Sequence, residues 1–141
     1  MLDNFDLIYT LLTLPGLLVG FVFHEFAHAK MADRLGDPTP RTQGRITLDP
    51  RSHIDIIGFI VMLIAGFGWA KPVMTNPGYY KKPRRDDILV SVAGPFMNLI
   101  ISIIFLFIMK IYILSGVFTN NQSLWNNIYI LLFITARINV V

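Results

Sequence analysis

The chain's single glutamate, Glu25, stands between two of its three histidines in His24-Glu25-Phe26-Ala27-His28. On a helix, positions i and i+4 share a face. His24 and His28 can therefore offer two imidazoles to one Zn2+, with Glu25 beside them as general base. The chemistry such a set supports is hydrolysis of a peptide bond by zinc-activated water. A pattern with three fixed positions also arises by chance, and a buried histidine is more often hydrogen-bonded to a neighbour than bound to metal. The setting separates these readings. Residues 7–23, seventeen in all and without a charge, run directly into the motif. Ionisable side chains beside or within a membrane segment are costly unless they face a polar interior or bind something. There are no cysteines, so disulfides and thiolate ligands are excluded and any zinc must be held by His, Asp or Glu.

The elements that must position these groups are apolar. With 141 residues the chain has the size of one domain, and 54% of it is hydrophobic, with a mean hydropathy of +0.57. These values exceed what a soluble domain usually carries and predict an integral membrane protein. The net charge of +3 and pI near 9.4 do not indicate a nucleic-acid partner. The basic residues lie in loops beside apolar runs, where the preference of Lys and Arg for the cytoplasmic side explains them. Residues 7–23 follow Asp3 and Asp6 rather than a basic stretch and lack a small-residue cleavage site, so they are expected to stay in the mature protein rather than act as a signal peptide.

Residues 88–109 form a second uncharged run, long enough to span a bilayer, and residues 128–136 begin a third that is interrupted by Arg137. The polar stretch 115–127 between them reads as an external loop, with Trp125 and Tyr129 as interfacial anchors. Residues 56–70 are uncharged but short, and contain Gly58, Gly66 and Gly68. Lys30, Arg34, Arg41, Arg45 and Arg51 precede them, and Lys71, Lys81, Lys82, Arg84 and Arg85 follow. Both flanks thus favour the cytoplasmic side and the segment reads as re-entrant, with a short tilted span as the alternative. With both loops inside, the motif falls near the cytoplasmic end of the first helix. Lys30 is six residues beyond His24, about 9 Å along a helix, so water can reach the site. Between Pro38, Pro40, Gly44 and Pro50, the alternating run Arg45-Ile46-Thr47-Leu48 predicts a short strand near the site.

Four stretches together resemble the site-2 proteases, intramembrane zinc metalloproteases of the M50 peptidase group. They are His24-Glu25-Phe26-Ala27-His28; Gly44-Arg45-Ile46-Thr47-Leu48-Asp49-Pro50 leading to His53-Ile54-Asp55; Phe67-Gly68-Trp69-Ala70-Lys71-Pro72-Val73; and Ala93-Gly94-Pro95-Phe96-Met97-Asn98. The likeness is to the compact prokaryotic type without a PDZ or CBS domain. It implies one intramembrane metalloprotease core over residues 1–141, all-α and polytopic. About three transmembrane helices are expected, plus the short re-entrant or tilted segment and the strand-like loop near the site. It implies that His24 and His28 bind Zn2+, that Glu25 activates water, and that the cell membrane holds the protein with its site near the cytoplasmic side. Substrates would be other membrane-spanning proteins, cleaved in or near their apolar segments. Asn98 matches an asparagine near the family's active site; it is read either as an oxyanion donor or as an interhelical amide contact. His53 is read as a metal, substrate or loop-ordering residue.

One departure bears on activity. Family members take a third zinc ligand from an aspartate in a later Leu-Asp-Gly motif, which does not occur before Val141. A truncated chain is one expectation; Asp49, His53 or Asp55 as substitute ligand is the other. The rival function is a catalytically inactive zinc-binding membrane protein. A metal transporter is disfavoured, because residues 88–109 hold no ionisable group to pass an ion along.

Overall fold

The computed structural model describes residues 7–65, 69, 71–114 and 122–138. Its helices are α1 (Leu7–Arg34), α2 (Thr39–Thr42), α3 (Ile56–Ala65), α4 (Pro83–Leu114) and α5 (Gln122–Ile138), with 3₁₀ turns at Pro50–Ser52 and Pro77–Tyr79. The described residues form no sheet, and the chain divides into two compact units, residues 21–97 and residues 1–20 with 98–141.

Unit 21–97 is organised by how α1 ends. The helix runs past the histidine motif to Arg34, where Gly36 takes the left-handed conformation at φ 106°. The N–H groups of Gly36 and Asp37 then bond back to the carbonyls of Asp33 and Ala32, at 3.2 and 3.0 Å. This pairing satisfies carbonyls that a helix end leaves free, and a non-glycine residue at position 36 would strain it. Pro38 follows and forbids further helix. The side chain of Asp37 is fully buried. One carboxylate oxygen accepts the N–H of Thr39 at 2.9 Å and the other the N–H of Asn76 at 2.6 Å. It thereby ties the start of α2 and the extended segment 71–76 to the end of α1. Ala32, Tyr80 and Val90 form the buried apolar cluster beside it, flanked by Met31 and Leu35.

The segment containing α3 doubles back. Asp55 caps the helix by accepting the Gly58 N–H at 2.8 Å. Beyond the helix, the N–H of Lys71 bonds the carbonyl of His53 at 2.9 Å. Trp69 returns its backbone against Gly58, where a Cβ would collide with the Trp69 carbonyl. Both ends of the excursion therefore lie together. At ten residues α3 is about 15 Å long, half a hydrocarbon core. It leaves Ile56, Ile57, Ile60 and Ile64 exposed. Gly66, Phe67, Gly68 and Ala70 of the sequence reading lie outside the described residues.

In the other unit, Gly16 of α1 packs against Thr135 of α5: a Cβ at position 16 would stand 2.9 Å from both the Cα and the Oγ1 of Thr135. The Ser102 hydroxyl of α4 donates to the Ala136 carbonyl at 2.8 Å. Small residues and a hydroxyl thus make the helix contacts, as expected where apolar burial supplies no preference between lipid and protein.

Among the described residues, α4 is the one helix long and apolar enough to cross a membrane. Only 11% of its most apolar window is buried, whereas a soluble core helix would bury most of it. Ile88, Val92, Phe96, Ile103, Phe107 and Leu114 are among its exposed side chains.

Two expectations change. Residues 45–48 form bends and irregular chain rather than a strand. A strand needs an extended neighbour, and here the polar groups are used singly. The N–H of Arg45 closes a turn onto the Pro40 carbonyl at 2.8 Å, the Arg45 guanidinium bonds the Ser52 carbonyl, and His53 Nε2 donates to the Thr47 carbonyl at 2.8 Å. The second change concerns the polar stretch 115–127. Residues 115–121 lie outside the described residues, but α5 already starts at Gln122, so Asn126 and Asn127 are exposed helix positions rather than loop.

Candidate metal centre

The structure carries His24, Glu25 and His28 on the second half of α1 and sets the start of α4 against the two imidazoles. The two rings lie edge to face, centroids 4.6 Å apart. His28 Nδ1 is 2.7 Å from the carbonyl of Val90. A carbonyl only accepts, so the proton sits on Nδ1 and the Nε2 lone pair is left for a metal. One turn after Val90, a Cβ at Gly94 would stand 2.5 Å from His24 Nε2 and nearer still to His28 Nε2. The two nitrogens therefore converge on one spot, within about 5 Å of each other. Tetrahedral zinc with Zn–N bonds of about 2.0–2.1 Å holds its nitrogens roughly 3.3 Å apart. A small closing of two side chains on one helix face reaches that separation, so these residues fit half of a zinc site.

Glu25 is held from a third element. Its Oε2 accepts the N–H of Val73 at 2.8 Å, from the extended segment that Asp37 anchors three residues later. This fixes the carboxylate, while its other oxygen carries no bond among the described residues.

The remaining ligand set is incomplete. Among the described residues no three His, Asp or Glu side chains gather as a metal cluster. The proposed substitutes are occupied locally: Asp49 caps the turn at Pro50 by accepting the Arg51 N–H at 3.0 Å, Asp55 caps α3, and fully buried His53 braces the 45–53 loop through Thr47. Asn98 belongs to the other unit. It follows Gly94 by one turn of α4, and its Oδ1 is buried without a partner among the described residues.

Sequence reasoning missed three contributors: the Val90 carbonyl, the Val73 N–H and Gly94. The first two are backbone groups with no residue signature. Gly94 sat inside a quoted motif, and its place one turn before Asn98 was the only available signal.

The profile of Peptidase family M50 matches residues 12–136. This chain belongs to peptidase family M50. It is 50% identical over 93 residues to a Bacillus subtilis (strain 168) protein described as "Putative zinc metalloprotease YwhC", covering 66% of this chain and 42% of that one. Two proteins described as "Putative zinc metalloprotease Rip2" are also similar. That of Mycobacterium tuberculosis (strain ATCC 25618 / H37Rv) is 37% identical over 101 residues, 67% of this chain and 38% of the relative. That of Mycolicibacterium smegmatis (strain ATCC 700084 / mc(2)155) is 33% identical over 101 residues, 68% and 39%. No solved structure matches the chain. The M50 chain spans about two fifths of the length of these relatives. M50 membership makes the apolar frame that of a membrane-embedded metalloprotease family and makes zinc the metal its histidines imply.

Proposed function

We propose that this chain carries the zinc-binding core of an intramembrane protease that cleaves membrane-protein substrates in or near their apolar segments. The observation that carries the reading is the convergence of the His24 and His28 nitrogens on Gly94, with the intervening Glu25 held by the Val73 N–H. His24 and His28 would hold Zn2+, which supplies Lewis acidity, lowering the pKa of water toward neutrality and polarising a peptide carbonyl. Glu25 takes a proton from the attacking water on the carboxylate oxygen that Val73 leaves free, then returns it to the leaving amine.

The frame we propose has α1, α4 and α5 crossing the membrane and the α3 hairpin entering and leaving from the cytoplasmic side. The coincidence of its two ends and the basic flanks at Arg45, Arg51, Lys71, Lys81 and Lys82 support that arrangement. A substrate helix hides its carbonyls in its own hydrogen bonds and must unwind to be cut there.

The second reading, zinc binding without catalysis, draws on the two-imidazole set. Zinc per chain, measured by elemental analysis on protein in mild detergent, tests the site: about one zinc, lost in His24→Ala, would mean that a third ligand lies within these residues, and little or none that the two imidazoles need a ligand from outside them. Zinc retained in His24→Ala would remove that histidine from the site. Catalysis is tested by Glu25→Gln in cleavage of a reconstituted membrane substrate. Unchanged cleavage would favour the second reading or another base.

A further inference from the structure

A second polar site lies in unit 21–97, in the loops on either side of α3. Gln43, Arg45, Arg51, Ser52, Lys71 and Met74 line an open cavity of about 560 Å³. Three of the six are cations and none is an acid. Arg45 is the telling member: it is only 7% exposed, yet its guanidinium bonds the neutral carbonyl of Ser52, and among the described residues no carboxylate pairs with it. A charge withdrawn from water is costly unless an opposite charge or a full set of hydrogen bonds answers it. The other two cations, from Arg51 and Lys71, are exposed and add to the field rather than relieving it.

The walls are fixed before any ligand arrives. The Arg45 N–H is bonded to Pro40, the Arg51 N–H to the Asp49 carboxylate and the Lys71 N–H to His53. A planar guanidinium fork from Arg45, a second from Arg51 and a point charge from Lys71 suit an anion with several oxygens spread in three dimensions, which describes a phosphate group better than a single carboxylate. The apolar helix α3, with Ile56, Ile57 and Ile60 exposed, begins four residues after Ser52. If acyl chains cover those isoleucines, the cavity sits at headgroup depth.

We infer that this cavity is a phosphate-binding site, filled by the phosphodiester of an anionic phospholipid. None of its three cations is a group assigned to the metal centre. Anionic headgroups are drawn to clustered Lys and Arg, and the open cavity admits a headgroup beyond the phosphate itself.

The test is retention of phosphatidylglycerol by the detergent-purified protein, counted by native mass spectrometry, with phosphatidylcholine and inorganic phosphate as the other probes. One phosphatidylglycerol is expected to be retained, with phosphatidylcholine weaker because its choline adds a fourth cation. The double variant Arg51→Gln/Lys71→Gln changes exposed side chains and is expected to fold; it should weaken retention about tenfold or more. Lys81→Gln/Lys82→Gln removes the same charge elsewhere and should leave retention unchanged. Inorganic phosphate that binds, or displaces the lipid at equal concentration, while Arg51→Gln/Lys71→Gln abolishes its binding, would keep the phosphate site but overturn the lipid as its source. No binding by either probe, or equal loss in both double variants, would overturn the site.

Discussion

At the scale of single residues, the separation between what chemistry needs and what holds it is visible around Gly94. Any side chain there enters the space of both imidazole nitrogens, and overpacking of this kind typically costs about 1–3 kcal/mol or displaces the neighbour. Gly94→Ala is expected to lower zinc per chain at least severalfold while far-UV circular dichroism stays helical; an undiminished zinc content would show that the close approach does not govern the site. Glu25→Gln keeps size and hydrogen-bonding reach but removes the base. It should retain zinc and lower cleavage by about 10²–10⁴-fold, the usual share of general-base catalysis. Past the apolar part of α1, Asp33 accepts two hydrogen bonds from Arg41, at 2.9 and 2.8 Å. The Arg41 guanidinium, through that hydrogen bonding first and its charge second, holds the carboxyl below its ordinary value. A carboxyl with a depressed folded pKa contributes stability above its unfolded pKa and loses it as pH falls through the folded one. Arg41→Gln should therefore raise the Asp33 titration midpoint toward the ordinary carboxylate value in an NMR titration. Little change in neutral-pH stability is expected, because Arg41 is exposed.

At the scale of elements, Asp37 connects parts that the chain order keeps apart. Its carboxylate holds the N–H groups of Thr39 and Asn76 where water cannot replace it. Asp37→Ala leaves both unsatisfied at about 1–3 kcal/mol each. The expected result is a lower thermal midpoint in detergent together with weaker cleavage, since the segment from Val73 to Asn76 also orients Glu25. An unchanged midpoint would argue that the segment is anchored elsewhere. The α3 hairpin depends on a different device, the absence of a Cβ at Gly58. The sequence showed a short uncharged run between basic flanks but not that its ends are bonded together, because that bond joins His53 to Lys71 through backbone groups. The strand expected at residues 45–48 failed for the converse reason: alternation marks a chain that suits a strand, while only a neighbouring extended segment makes one.

For the whole molecule, the absence of cysteine makes orientation directly measurable with single introduced thiols. Under the proposed topology, Ser52→Cys and Lys82→Cys label from the same side of sealed vesicles and Asn121→Cys from the other. Labelling of Ser52→Cys and Lys82→Cys from opposite sides would turn the α3 hairpin into a span. What the sequence determined by itself was local or compositional: the apolar frame, the helical character, and the placing of His24 and His28 on one face, which i,i+4 spacing guarantees on any helix, with Glu25 next to them in the chain. The tertiary structure decided what supports them. His28 meets Val90 across 62 residues and Glu25 meets Val73 across 48, and both partners are backbone atoms. Every residue but proline carries the same N–H and carbonyl, so no choice of side chain announces which of them will face the site, and only the packing of α4 and of the segment after α3 against α1 selects them.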